Sequence, residues 1–188
     1  MSGIGHNRGP SLDPGRGFRA HAWRRAREAL LPKLPIEVVR VRLRRAEALG
    51  IDYRTYAGIR ATTGRDLIAF LYSANALGMT RPGARPAPRA AARAAASAAQ
   101  ALLAAPPPLD PAAAAASCAA AGIALRRAGR APVLADGPRR SAALLDALAG
   151  GLPRDAVLVI GAAPPEAGWV AAGRFAGYLP AERWVAMG

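Results

Sequence analysis

Between residues 35 and 79 the apolar positions recur at helical spacing, broken at points where the chain can turn. Ile36, Val39, Leu43 and Ala46 fall on one side of a 3.6-residue helix and predict a helix over about 35–49, with Pro35 near its start and Gly50 just past its end. Asp52 is a suitable N-cap for a second helix, Tyr53 to about Thr62, which Gly64 stops. Thr63 and Asp66 then read as a capping box for a helix to about Leu77, with Leu67, Phe70, Leu71 and Ala74 as its apolar face. Upstream, Trp23, Ala26 and Leu30 share a face in a helix over 18–31 that Pro32 ends. The expectation for 18–79 is therefore a bundle of about four short helices.

The pattern then changes twice. Residues 80–111 are dominated by Ala, Pro and Arg, with only Leu102 and Leu103 to pack, and read as a linker with a transient or docked helix. From 112 to 188 helix and strand periods alternate. A helix over about 112–128 leads to a strand at 131–135 that ends at Asp136. A helix over 139–149 follows, then the strand 156–161, a helix over 166–177 and a strand over 183–187. The four consecutive aliphatic residues Val157–Ile160 suit a parallel strand buried on both faces. The expected class is α+β, in which a small three-stranded parallel α/β unit follows the helical bundle. Residues 1–17, with no apolar period, read as a tail.

Composition adds a charge argument. The 188-residue chain carries 26 basic and 12 acidic residues, a net charge of +14. Residues 1–80 hold 14 basic against 6 acidic residues, 81–105 hold four Arg and no acid, and 106–188 hold 8 against 6. Work on a polyanion therefore belongs to the first hundred residues. Only Lys33 among the bases is Lys. Ala, Arg, Gly and Pro share GC-rich codons, so codon bias supplies a second source for the arginines.

Cys118 is the only cysteine, which excludes a disulfide within the chain and suits a reducing bacterial cytoplasm. Residues 1–17 lack the apolar core of a secretory signal, and no run resembles a membrane span. His6 and His21 stand without a neighbouring nucleophile or second ligand, so neither a triad nor a metal site is expected, and no cofactor.

Two segments carry candidate chemistry. Residues 42–60 resemble a helix-turn-helix DNA-binding element, with Ala46 between the helices, Gly50 in the turn, Ile51 after it, and Tyr56 and Ile59 as anchors. The resemblance implies a second helix that offers Tyr53, Arg54, Thr55 and Arg60 to bases or phosphates, with Arg40, Arg44 and Arg45 supplying backbone attraction. Arg45, Tyr56 and Gly58 depart from the usual pattern. The leading expectation is thus a non-enzymatic nucleic-acid-binding protein of the regulatory kind.

The second segment lies in the α/β part. Arg140-Ser141-Ala142-Ala143, followed by VLVIGAAP at 157–164, resembles two segments of the precorrin-8X methylmutase family. That family's catalytic histidine segment has no counterpart here, and the Asn of its loop is Ala162. Independently of that family, strand ends in α/β units build sites, which nominates Asp136 and Gly161 for a small ligand. Asp136 is equally suited to cap the helix that follows it. The loop after Gly161 has neither GxGxxG nor a lysine for phosphate. A module for protein partners, including a second copy of the chain, is the third expectation.

Overall fold

The computed structural model describes residues 34–187. The helix expected over 18–31 and the tail lie outside them. The chain divides after Val39 into two units, Met1–Val39 and Arg40–Gly188, and the sheet belongs to the second. Among the described residues seven helices and five strands run in the order α1 (Ile36–Leu49), α2 (Tyr53–Thr63), β1 (Ala69–Ser73), α3 (Pro88–Ala96), β2 (Gln100–Ala105), α4 (Pro111–Ala120), β3 (Leu125–Arg130), α5 (Gly137–Ala149), β4 (Val157–Gly161), α6 (Gly168–Gly173), β5 (Gly177–Pro180) and α7 (Ala181–Ala186).

All strand pairs are parallel, and their order across the sheet is β3-β2-β1-β4-β5. Helices cover both faces. Phe70 and Tyr72 of β1, Leu103 of β2 and Leu158 and Ile160 of β4 point to one face, where they meet Ala46, Leu49, Tyr56, Ala90, Cys118 and Trp184. Leu71, Leu102, Val157 and Val159 point to the other, against Leu145 and Leu148 of α5 and Trp169 of α6. This two-sided burial follows from the period-2 alternation of a strand flanked by partners on both edges.

The architecture is α/β, and it corrects the expectation of a helical bundle joined to a three-stranded unit. The segment taken as a fourth bundle helix is the central strand β1 followed by a single 3-10 turn, Asn75–Leu77. Every residue of β1 is buried. A run buried on all sides satisfies a helical stripe as readily as a strand, and pairing with β2 and β4 decides it. The supposed linker 80–111 contains α3 and the whole of β2, in which Leu102 and Leu103 are fully buried on opposite faces. Alanine is a poor strand former, but neighbours on both edges override that preference.

Downstream, the strand expected at 131–135 lies instead at 125–130, and 183–187 falls mostly in helix α7. Helix α5 and strand β4 stand where the periodicity put them. Of the expected stripe on α1, Ala46 packs, beside Leu49, and Val39 is half-buried, whereas Ile36 is 62% and Leu43 46% exposed.

Candidate functional site

In a doubly wound sheet the crossovers change face where the strand order reverses, and a crevice opens beyond the carboxyl ends of the two strands that part there. Here those strands are β1 and β4. Each sends a short turn across the crevice.

At the end of β1 the Ser73 hydroxyl accepts the Ala76 amide at 3.0 Å, which winds the 3-10 turn and carries Asn75 beyond the strand. At the end of β4 a second 3-10 turn, Pro164–Ala167, brings Glu166 back over Gly161. The Glu166 Oε2 accepts the amides of Ala162 at 2.7 Å and Ala163 at 3.0 Å. Its Oε1 accepts the Asn75 Nδ2 at 2.8 Å. One carboxylate thus ties together two strand ends 91 residues apart in sequence. It does so while only 3% exposed.

Gly161 is required by close approach. A Cβ there would stand 2.6 Å from the Glu166 Oε2 and 2.7 Å from the Tyr178 ring. Burial, and then the charges of Glu166 and Glu182, push the Tyr178 phenol above its ordinary range.

A cavity of about 410 Å³ opens over this pair. Pro106 follows β2, Pro132 and Val133 follow β3, and Pro165 and Trp169 follow β4, and together they form its apolar wall. A second hollow, of about 430 Å³, shares Pro132, Val133, Leu134, Pro165 and Trp169 with it and continues to Ser141 and Ala172. Leu134, 88% exposed, stands where the two meet.

Of the two strand-end residues nominated from sequence, Gly161 lies at this crevice and Asp136 beside it. Asp136 is held by its neighbours. It accepts Arg130 at 2.9 and 3.0 Å and the Val133 amide at 2.8 Å, with Arg140 at 3.2 Å. The Arg130 guanidinium, followed by the Val133 amide, holds this carboxyl below the usual range. Asp136 therefore fixes the turn that carries Leu134. It makes no side-chain cap to α5, because its carboxylate faces back toward β3. The residues missed from sequence are Asn75, Glu166 and Trp169. An acid five residues past a strand end was the visible signal for Glu166. Asn75 was hidden by the helical reading of β1.

The other candidate set is built on α1 and α2, two helices joined by a short turn with Gly50 in the left-handed region at φ 72°. Asp52 caps α2 as expected, accepting the Thr55 amide at 2.8 Å. Several of the nominated side chains are turned inward. Arg45 donates to Asp66 at 3.0 Å and to the Leu67 carbonyl at 2.7 Å. Tyr56 donates to Asp66 at 2.7 Å, and Arg60 lies 4.0 Å from it. The Thr55 hydroxyl donates to Asp52 and accepts from Arg183. Tyr53 lines a hollow with Leu43, Glu47 and Arg93. Arg40, Arg44 and Arg54 are exposed.

Cys118 is buried against Met79, and burial raises its thiol to about 11. Among the described residues no three His, Cys, Asp or Glu side chains gather as metal ligands would, and no helix is long and apolar enough to cross a membrane.

The strand order and the cavity define a doubly wound parallel α/β protein with an open crevice at its topological switch point. No protein family, curated protein or solved structure matches the chain.

Proposed function

We propose that the chain is a small-molecule-binding α/β domain whose ligand occupies the crevice between the carboxyl ends of β1 and β4. The observation that carries this reading is the apolar cavity of about 410 Å³ with two polar side chains, Asn75 and Glu166, at its base. That ratio of apolar wall to a few placed polar groups is the usual make-up of a small-ligand pocket. A protein-observed NMR screen of a fragment set against the full chain tests it. Binders should shift the Trp169 indole N–H, and Ala135→Trp, which fills the mouth, should abolish their binding. Binders whose footprint falls elsewhere, or an Ala135→Trp variant that binds them unchanged, would sink the reading.

A second reading, nucleic-acid binding, is favoured by the resemblance of α1 and α2 to a helix-turn-helix and by the exposed Arg44 and Arg54. Arg40, Arg44 and Arg54 would meet phosphates, while Arg45, Thr55 and Arg60 hold the element together. If Arg44 and Arg54 each neutralise one phosphate, replacing both with Ala lowers the slope of log affinity against log salt by about 1.8. An unchanged slope in a gel-shift titration would reject it.

A further inference from the structure

We infer that the occupant of the crevice is an organic cation, an ammonium head on an apolar body; the inference rests on the reading of the crevice as a ligand site. Glu166 is the only charged residue in the buried core among those described. Buried carboxylates are paired in stable proteins, because an uncompensated charge is costly to desolvate. Asp52, Asp66, Asp136, Asp146 and Asp155 each have an arginine within 4.0 Å. Glu166 has none among the described residues; Glu47, Asp110 and Glu182 have none there either, but those three are exposed to water. Its three N–H donors are neutral.

The geometry also leaves room for a donor. A carboxylate offers about four lone-pair sites, and Glu166 uses three. Because Asn75 donates through Nδ2, its amide oxygen is left as a second acceptor at the base of the cavity. The walls offer an anion little in return. Pro106, Pro132 and Pro165 have no N–H, and the amides of Ala162 and Ala163 are taken by Glu166. An ammonium N–H therefore finds acceptors where a carboxylate or phosphate finds repulsion. From that head, the apolar body runs past Leu134 into the second hollow, toward Ser141 and Ala172.

The test compares three probe series on the full-length chain by calorimetry and by the Trp169 indole resonance. These are n-hexyl- and n-octylammonium, hexanoate and octanoate, and 1-hexanol. The expected result is octylammonium at least ten-fold tighter than octanoate, with roughly four-fold gained per methylene added. Glu166→Gln should lower the alkylammonium affinity at least ten-fold. Octanoate binding as tightly as octylammonium in the wild-type chain overturns the inference, as does undiminished alkylammonium binding by a folded Glu166→Gln. If 1-hexanol shifts Trp169 but charge makes no difference, the cation inference fails and the crevice reading stands. If no probe shifts Trp169, both fail.

Discussion

Replacing Glu166 with Ala would remove the group that joins the two strand ends. Three N–H donors lose their acceptor: Ala162, Ala163 and the Asn75 side chain. Hydrogen bonds to a charged group are worth about 1.5–3 kcal/mol each. Their full sum is not lost. Ala162 is exposed and Ala163 half-buried, so water replaces part of what they give up, and removing a buried charge returns several kcal/mol of desolvation. The net cost expected is about 3 kcal/mol, or about 6–12 °C in melting temperature for a chain of this size. Glu166→Gln keeps the length and one acceptor oxygen and should cost about 1 kcal/mol. Urea denaturation gives the stabilities, and the Ala162 and Ala163 amide resonances report the loop. A Glu166→Ala variant within about 0.5 kcal/mol of wild type, with unmoved Ala162 and Ala163 amide resonances, would refute the claim that this carboxylate organises the crevice.

Three further outcomes follow from the packing. Leu103→Ala should cost about 2–5 kcal/mol by urea denaturation, as for a core leucine; a surface linker position would lose under about 0.5 kcal/mol. Gly161→Ala should cost about 1–3 kcal/mol and displace Glu166, because the added methyl group meets its carboxylate; unchanged Asn75 side-chain resonances would contradict this. Above pH 9 stability should fall. The Cys118 thiol is raised from 9.0 to about 11, so its contribution is whole below pH 9 and is lost as pH climbs to about 11, near 3 kcal/mol in all. Tyr56, Tyr72 and Tyr178, also raised, extend the fall beyond pH 10. Cys118→Ala should flatten the pH 9–11 limb by about 1.4 kcal/mol per pH unit, and an unaltered limb would show that the thiol ionises alike in both states.

Local chemistry made some of this fold readable. The Asp52 cap, the Gly50 and Gly64 stops and the aliphatic run of β4 are set by residues within a few positions of one another. The failures share a cause. Phe70, Leu71 and Tyr72 are buried on both sides of the sheet, so β1 carries no alternation to mark it as a strand. Gln100–Ala105 carries almost no strand propensity, and only pairing with β1 and β3 makes it one. Such pairing is a long-range fact, absent from any local window. Reading β1 as helix also placed Asn75 inside a helix and left the sheet without its central strand.

The site was obscured for a further reason, which bears on the choice between the two functional readings. The arginines are numerous and dominate the charge pattern of the sequence. In the folded chain several of them serve the fold: Arg45 and Arg60 sit on Asp66, Arg130 and Arg140 on Asp136, and Arg183 on Asp52. The exposed ones, such as Arg183 on Asp52, are worth about 0–1 kcal/mol each and carry little information about a partner. The exceptional charge is the one that departs from the trend, a carboxylate in the core with no basic partner among the described residues. Holding a charge there costs the fold more than any exposed arginine does. A ligand that neutralises that charge would regain the cost, whereas a polyanion on the outer face of α2 would leave it untouched. Of the two readings, only the crevice gives Glu166 a counter-charge.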